Sequence, residues 1–452
     1  MIKWLLLSGG LGALAGLIAV GYQFVLEGAV YMCFSRMIGL APSGPVYAET
    51  HHMFGITGDF SPWMIIIVPA AGGLFVGILT WLYTRKWKEL ESTDEIEAFH
   101  RKEGRYPIIT PFFKLLLSII TLGTGGSGGK EAPCGNAGAA CASAMSVVFR
   151  LDTSTRRILM VAGVAAGIGA VFRIPIAAAV FAVEFLYASG DIEGEVLIPS
   201  AIAGIMGYTV FASFYDFDPL LPIAEKYQFR SVMELFPYTI LAVVAAGCGG
   251  VFVYLFRRTG KLFSSMKINM AFKPLIGGLI TGLIGWALLT LTKDVDVLAV
   301  IGDGFGILEE HISGGQAAVG VGILLLVTFA KMVTTSATIG SGGIAGLFTP
   351  SLVIGGTLGG AVGLLLNGIM PGLVPMPTAY MIVGMSAFFS SISNTPMCAI
   401  LIACEVTGNY QLLIPAMWAC ALSFLLCREW SLYPGQMPSL KNVWNQVNNE
   451  NK

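Results

Sequence analysis

Residues 123–140, GTGGSGGKEAPCGNAGAA, decide how this chain is read. Glycines 123, 125 and 128 satisfy the literal GxGxxG spacing of a dinucleotide-binding turn, and Gly129-Lys130 imitates the end of a nucleotide-binding loop. Both readings fail on their neighbours. A Walker loop needs glycine where Thr124 stands, and a magnesium-holding serine or threonine where Glu131 stands. A dinucleotide turn needs an acid about 20 positions on within a βαβ unit, yet after Glu131 the next acid is Asp152 and the flanks are apolar. What survives is the physics of a glycine-rich turn with Pro133 in the first turn of a helix. Such a start presents unpaired N–H groups and the positive end of the helix dipole, which favour an anion.

Composition places that turn in a membrane. The chain is 55% hydrophobic with a mean hydropathy of +0.76, and only 12% charged, about half the charge of a soluble domain. No Asp, Glu, Lys or Arg lies between Lys331 and Glu405, enough chain for about three spans at ~20 residues each. Further spans are expected near 4–26, 62–84, 111–129, 158–187, 196–215, 235–256 and 274–292. The first is too long for a signal-peptide core and lacks a small-residue cleavage site, so it reads as a retained helix. The 57 glycines suit close helix packing and broken helices. A net charge of −1 points away from nucleic acid. The eight cysteines are dispersed without a CxxC pair and read as small buried hydrophobes. His51, His52, His100 and His311 show no metal-ligand spacing, so neither metal nor cofactor is expected.

Basic residues cluster at 85–105, 150–157 and 257–273, which the positive-inside rule assigns to the cytoplasm. Residues 38–61 then form an external loop, and both termini are expected to be cytoplasmic. The polar stretch 434–452 is expected to be a short tail behind one transmembrane domain spanning 1–452. Within that domain the chain repeats. The GxxxP units 129–133 and 346–350 lie 217 positions apart. GVAAGIGAVFRIPIAAAVFAVE from Gly163 and GMSAFFSSISNTPMCAILIACE from Gly384 carry Gly, Pro and Glu at identical spacing, 221 positions apart. Two landmarks recurring in order imply two related halves, about 1–215 and 235–433, as in inverted-repeat transporters.

Two glycine-rich helix starts, one per half, can hold an anion between partial charges without the tight grip of a lysine or arginine. Glu131 then needs explaining, because an acid in an apolar setting is costly and functional by default. Its carboxylate is itself an anion and can occupy the place of a transported one until protonation frees it. The structural alternative is a salt bridge to Lys130 or another base. Nothing pairs Ser127 or Cys134 with a histidine base, so no enzyme is expected.

At these residues the sequence resembles the CLC family of chloride channels and proton/chloride antiporters. GKEAP (129–133) is similar to the GxEGP motif with Ala132 for its second glycine, and GLFTP (346–350) to GxFxP. SLYPGQMPS (431–439) is similar to the region of the family's anion-coordinating tyrosine. The resemblance covers nearly the whole chain. It implies an all-α polytopic fold of two inverted repeats with broken, re-entrant helices, and a homodimer in the plasma (bacterial inner) membrane with one pore per subunit. Glu131 would be the gating glutamate. Leu347 and Phe348 would give backbone N–H groups to the anion, with Gly129 and Gly346 also in the anion site; Tyr433 would add its hydroxyl, and Lys130 would anchor the helix end.

Two departures stand out. The family's GSGIP segment corresponds to LESTDEIEAFH from Leu90, which puts Glu91 where a hydroxyl is usual, with Ser92 beside it. Either Ser92 shifts into the coordinating role, or an acid faces the inner site, or Glu91 simply lies in a solvated cytoplasmic loop. Secondly, Phe185 occupies the place of the family's internal proton glutamate. Glu184 would relay protons or be a buried structural acid like its repeat partner Glu405, and Asp191, Glu193 and Glu195 are nearby substitutes. The expected function is transport of small monovalent anions, chloride foremost, by proton exchange gated at Glu131. The alternatives are a passive channel of the same type or another inverted-repeat secondary transporter.

Overall fold

A computed structural model describes residues 2–42, 54–56, 60–87, 93–223, 227–313, 320–433 and 435–439. Among them nine helical segments are long and apolar enough to cross a membrane. The first half carries α1 (Ile2–Val30), α2 (Met64–Trp87), α3 (Glu95–Arg101), α4 (Ile109–Gly123), α5 (Glu131–Val148), α6 (Thr153–Phe172), α7 (Pro175–Glu184) and α8 (Gly194–Ala212). The second carries α9 (Leu235–Ser265), α10 (Lys273–Thr292), α11 (Gly306–Ser313), α12 (Val321–Gly340), α13 (Phe348–Ile369), α14 (Pro377–Ser393), α15 (Pro396–Thr407) and α16 (Leu413–Cys427). A π-helical turn, Tyr31–Ile38, extends α1, and two three-residue strands, β1 (Leu40–Pro42) and β2 (Phe54–Ile56), pair antiparallel. The chain is a multi-pass, almost wholly helical membrane protein.

The expected span at 158–187 is two helices. α6 stops at Arg173, whose φ of 56° is left-handed, and α14 stops the same way at Asn394 with φ 59°. One residue intervenes before Pro175 and Pro396, each of which lacks an N–H and opens a new helix. The resulting α7 and α15 have 10 and 12 residues. At a 1.5 Å rise they cover about 15 and 18 Å, roughly half the ~30 Å hydrocarbon core. Likewise the span expected at 111–129 ends at Gly123, and the chain breaks before restarting at Glu131.

Broken helices inside a membrane leave N–H groups that hydrocarbon cannot satisfy. Here each half caps the other. Glu184, at the end of α7, accepts from the N–H groups of Met397 (3.0 Å) and Cys398 (2.9 Å) at the start of α15. Glu405, in the last turn of α15, accepts from Ile176 (3.0 Å) and Ala177 (2.6 Å) at the start of α7. The neighbouring helices close up at glycine crossings. A Cβ on Gly138 (α5) would collide with the Gly163 carbonyl (α6), and one on Gly163 with the Gly138 carbonyl; Gly355 and Gly384 meet in the same way between α13 and α14.

Candidate functional site

The loop before α5 and the loop before α13 lie against each other as an antiparallel bridge. Gly129 N–H donates to the Gly346 carbonyl at 2.9 Å, and Gly346 N–H donates to the Gly129 carbonyl at 2.7 Å. Threonines at the ends of α4 and α12 complete the exchange. Ser127 N–H donates to Thr338 Oγ1 (3.1 Å), and Ile344 N–H to Thr121 Oγ1 (3.3 Å). The two positive helix ends are thereby fixed side by side. Gly129 and Gly346, expected in the anion site, have their N–H groups engaged with each other. Their part is to hold the two starts together, with no room for a side chain beside the Glu131 carboxylate.

Glu131 is the first residue of α5, buried at 4% exposure. It reaches across the bridge to the opposite helix start. Its Oε1 accepts from Phe348 N–H at 2.6 Å and its Oε2 from Thr349 Oγ1 at 3.0 Å. The carboxylate thus sits on the N-terminus of α13, where a free anion would bind. Thr349, which sequence reading passed over, supplies the second donor. Lys130 turns the other way: its Nζ donates to Gln23 Oε1 at 3.0 Å and lies 5.9 Å from the Phe172 ring centroid. The salt bridge weighed for Glu131 and Lys130 is not formed. Leu347 immediately precedes the donor Phe348 at the start of α13.

An aromatic series continues from this point. The Phe348 ring centroid is 5.0 Å from Phe172, 4.8 Å from Phe389 and 6.5 Å from Phe181. Phe181 continues to Phe185 (5.1 Å, stacked) and Tyr433 (6.4 Å), and Phe185 itself meets Tyr433 at 6.4 Å. Phe185 therefore packs in the wall beside the half-buried Tyr433. The Tyr433 loop is pinned by Gln436, another residue that sequence reading missed. Gln436 Nε2 donates to the carbonyls of Phe185 (3.1 Å) and Ser393 (2.9 Å), and its Oε1 accepts from Ser431 Oγ at 2.7 Å. A glutamine beyond the motif tyrosine carries no local signal of that role.

Glu91 and Ser92 lie outside the described residues. Directly after them, Asp94 Oδ1 caps α3 by accepting from Ile96 N–H (3.0 Å) and Glu97 N–H (3.1 Å). Thr93 Oγ1 accepts from Lys114 Nζ at 2.7 Å. The Tyr106 hydroxyl lies within hydrogen-bonding distance of the Thr93 carbonyl (3.0 Å), Asn136 Oδ1 (3.0 Å) and Glu95 Oε1 (3.4 Å). Of the substitutes near Glu184, Glu193 accepts from the Tyr187 hydroxyl, and Glu195 lies in the first turn of α8. Glu184 is fully buried on the α15 N–H groups, one face of a symmetric pair of caps.

Glu95, on α3 outside the spanning helices, was not singled out by its sequence context. Burial pushes its carboxyl from the ordinary 4.5 up to about 7, with Asp94 reinforcing the shift and Lys114 opposing it. The folded chain therefore keeps a proton that the unfolded chain releases. This contribution is fully present below about 4.5 and is lost as pH rises through about 7. Glu95→Gln is expected to flatten that part of the melting temperature's pH profile in detergent. A slope identical to the unmodified chain's would show that Glu95 does not titrate there.

Comparison with known proteins agrees with this architecture. The sequence profile of the family described as "Voltage gated chloride channel" matches residues 72–428. The chain is 28% identical over 368 residues to a putative chloride channel protein ClcB-like of Ralstonia nicotianae, covering 80% of this chain and 82% of that one. In structure it is similar to a slow cyanobacterial Cl−/H+ antiporter, with a TM-score of 0.77, 18% identity, and coverage of 100% and 99% of the two chains. It is equally similar to a CLC-type fluoride/proton antiporter, with a TM-score of 0.77, 21% identity, and coverage of 97% and 98%.

Proposed function

Because this chain belongs to the voltage gated chloride channel family, we propose that it carries small monovalent anions, chloride foremost, across a membrane in exchange for protons. The observation that carries this reading is the Glu131 carboxylate held on the N-terminus of α13 by Phe348 N–H and Thr349 Oγ1. An ionised glutamate and a passing anion compete for the same donors, so one excludes the other. Protonation removes the charge that the helix end attracts, and the side chain can leave while an anion enters. Proton and anion thereby take turns at one place, which is the minimum an exchanger needs.

The neighbouring parts follow from this centre. Phe348 N–H, with Leu347 before it, forms the donor side of the anion site. Tyr433 faces it from the far end of the aromatic series. Gly129 and Gly346 hold the two helix starts in register, and Lys130 anchors α5 through Gln23. Glu184 is assigned as a cap of α15 in place of a proton relay, because both its oxygens are engaged by backbone N–H groups and Glu405 repeats the arrangement. The halves 1–215 and 235–433 form one transporting domain, and two copies associate as a homodimer in the plasma membrane with both termini cytoplasmic. The chain acts as a transporter and not as an enzyme.

Purified protein in liposomes tests the exchange directly. An imposed chloride gradient is expected to move protons against their own gradient. Halide flux with no accompanying proton movement would replace the exchanger with a passive channel. Sodium-dependent uptake without halide flux would remove the anion reading altogether.

A further inference from the structure

Away from the Glu131 site, three side chains with metal-binding atoms converge from two elements. Asp296 belongs to the 3-10 turn Val295–Val300 that follows α10, and Glu310 and His311 belong to α11. One ligand atom from each lies within 4.8 Å of the other two. His311 Nε2 is 3.3 Å from Asp296 Oδ2, and both residues are buried at 8% exposure. Asp296 has no lysine or arginine partner among the described residues. Two carboxylates beside one imidazole offer oxygen and nitrogen ligands to one ion, and two of the three residues, Asp296 and His311, are buried.

The donor set selects the kind of cation. One imidazole nitrogen and two carboxylate oxygens suit zinc-type ions, whereas calcium and magnesium favour all-oxygen shells. With metal–ligand bonds of about 2.0–2.1 Å a tetrahedral site has edges of about 3.4 Å; His311 Nε2 and Asp296 Oδ2, hydrogen-bonded to each other at 3.3 Å, are already that close, and the Glu310 oxygen lies within 4.8 Å of both. Sequence spacing hid the site because Asp296 is remote in the chain from the adjacent Glu310 and His311.

Position connects the cluster to the gate. It lies beyond the C-terminal end of α10, the end near which Trp286 stacks on Trp63 at 5.1 Å. The basic clusters sit at the opposite end, where Thr84 of α2 meets Met270. From the 3-10 turn the chain runs through Ile301 to Gly302. Gly302 N–H donates to the Gly125 carbonyl (3.0 Å), and its own carbonyl accepts from Gly128 N–H (3.2 Å) and from the fully buried Lys331 Nζ (2.9 Å). Gly125 and Gly128 lie in the loop that delivers Glu131.

We propose that Asp296, Glu310 and His311 form a site for a zinc-type divalent cation, filled from the side facing away from the basic helix ends, and that its occupancy restrains the loop carrying Glu131. The metal draws α11 onto the 3-10 turn, and that turn is hydrogen-bonded through Gly302 to the gating loop.

The test uses the full-length protein in detergent, with Zn2+ competed against a chromogenic chelator, and the same protein in liposomes. One Zn2+ per chain is expected, not displaced by Mg2+ or Ca2+. His311→Ala is expected to weaken binding about tenfold or more, and so is Glu310→Gln, whose partly exposed side chain can change without disturbing the core. Zn2+ on the outer side is expected to slow halide flux of the unmodified protein and leave the flux of His311→Ala unchanged. Absence of stoichiometric binding, or equal affinity in both variants, overturns the site. Binding with unaltered flux overturns its coupling to the gate. The binding measurement does not depend on the transport reading.

Discussion

Glu131→Gln is expected to uncouple proton movement from anion flux and to remove most of the pH dependence of that flux. The ionised carboxylate accepts from Phe348 N–H at 2.6 Å and from Thr349 Oγ1 at 3.0 Å. Hydrogen bonds to a charged group contribute about 1.5–3 kcal/mol each, against about 1 kcal/mol for neutral ones. A glutamine keeps one acceptor oxygen, but it loses the charge that the helix end attracts and cannot be switched by a proton. Forfeiting about 2 kcal/mol of gate closure corresponds to a roughly 30-fold shift towards the open site. Halide efflux at neutral pH is therefore expected to rise by about one order of magnitude, and chloride-driven proton movement to fall to background. Glu131→Ala should do the same and also leave the α13 donors free for the anion. Efflux that keeps the unmodified pH profile in both variants would remove Glu131 as the gate.

The second large effect is on stability, at the paired caps. Glu184→Ala leaves Met397 and Cys398 N–H without their acceptor, and Glu405→Ala does the same to Ile176 and Ala177. A buried donor left unsatisfied costs about 1–3 kcal/mol, so each variant is expected to lose on the order of 2–5 kcal/mol. The loss should appear as a clear fall in detergent melting temperature, larger for the fully buried Glu184 than for the partly buried Glu405. Glu184→Gln retains one acceptor and should lose less, with the ratio of protons to halide unchanged. A Glu184→Gln protein of normal stability that moves halide without protons would instead make Glu184 a proton carrier.

Much of this site could be read along the chain because its signals are local. Glycine runs followed by Pro133 and Pro350 mark helix starts whatever surrounds them, and Glu131 stands at such a start by its position alone. Pro175 and Pro396 recur in matching contexts, so the two halves could be recognised, although the span expected at 158–187 runs straight through the break before Pro175. The part played by each acid was less legible. Glu131, Glu184 and Glu405 all occur in apolar stretches, yet one accepts from the start of the opposite half's α13 across a bridge of glycine loops and the other two cap α15 and α7.

Membrane crossing, the internal repeat, helix breaks at glycine and proline, and a helix starting on an acid can all be read along the chain. These properties depend on hydropathy and backbone sterics over a few residues. Which N–H groups each carboxylate meets is set by the folded packing of the helices. It set Glu131 on the opposite half's helix, spent the Gly129 and Gly346 N–H groups on each other, and brought Asp296 to His311. Such partners are separated by 15 to 217 residues, and their pairing depends on how helices pack. No local pattern encodes it.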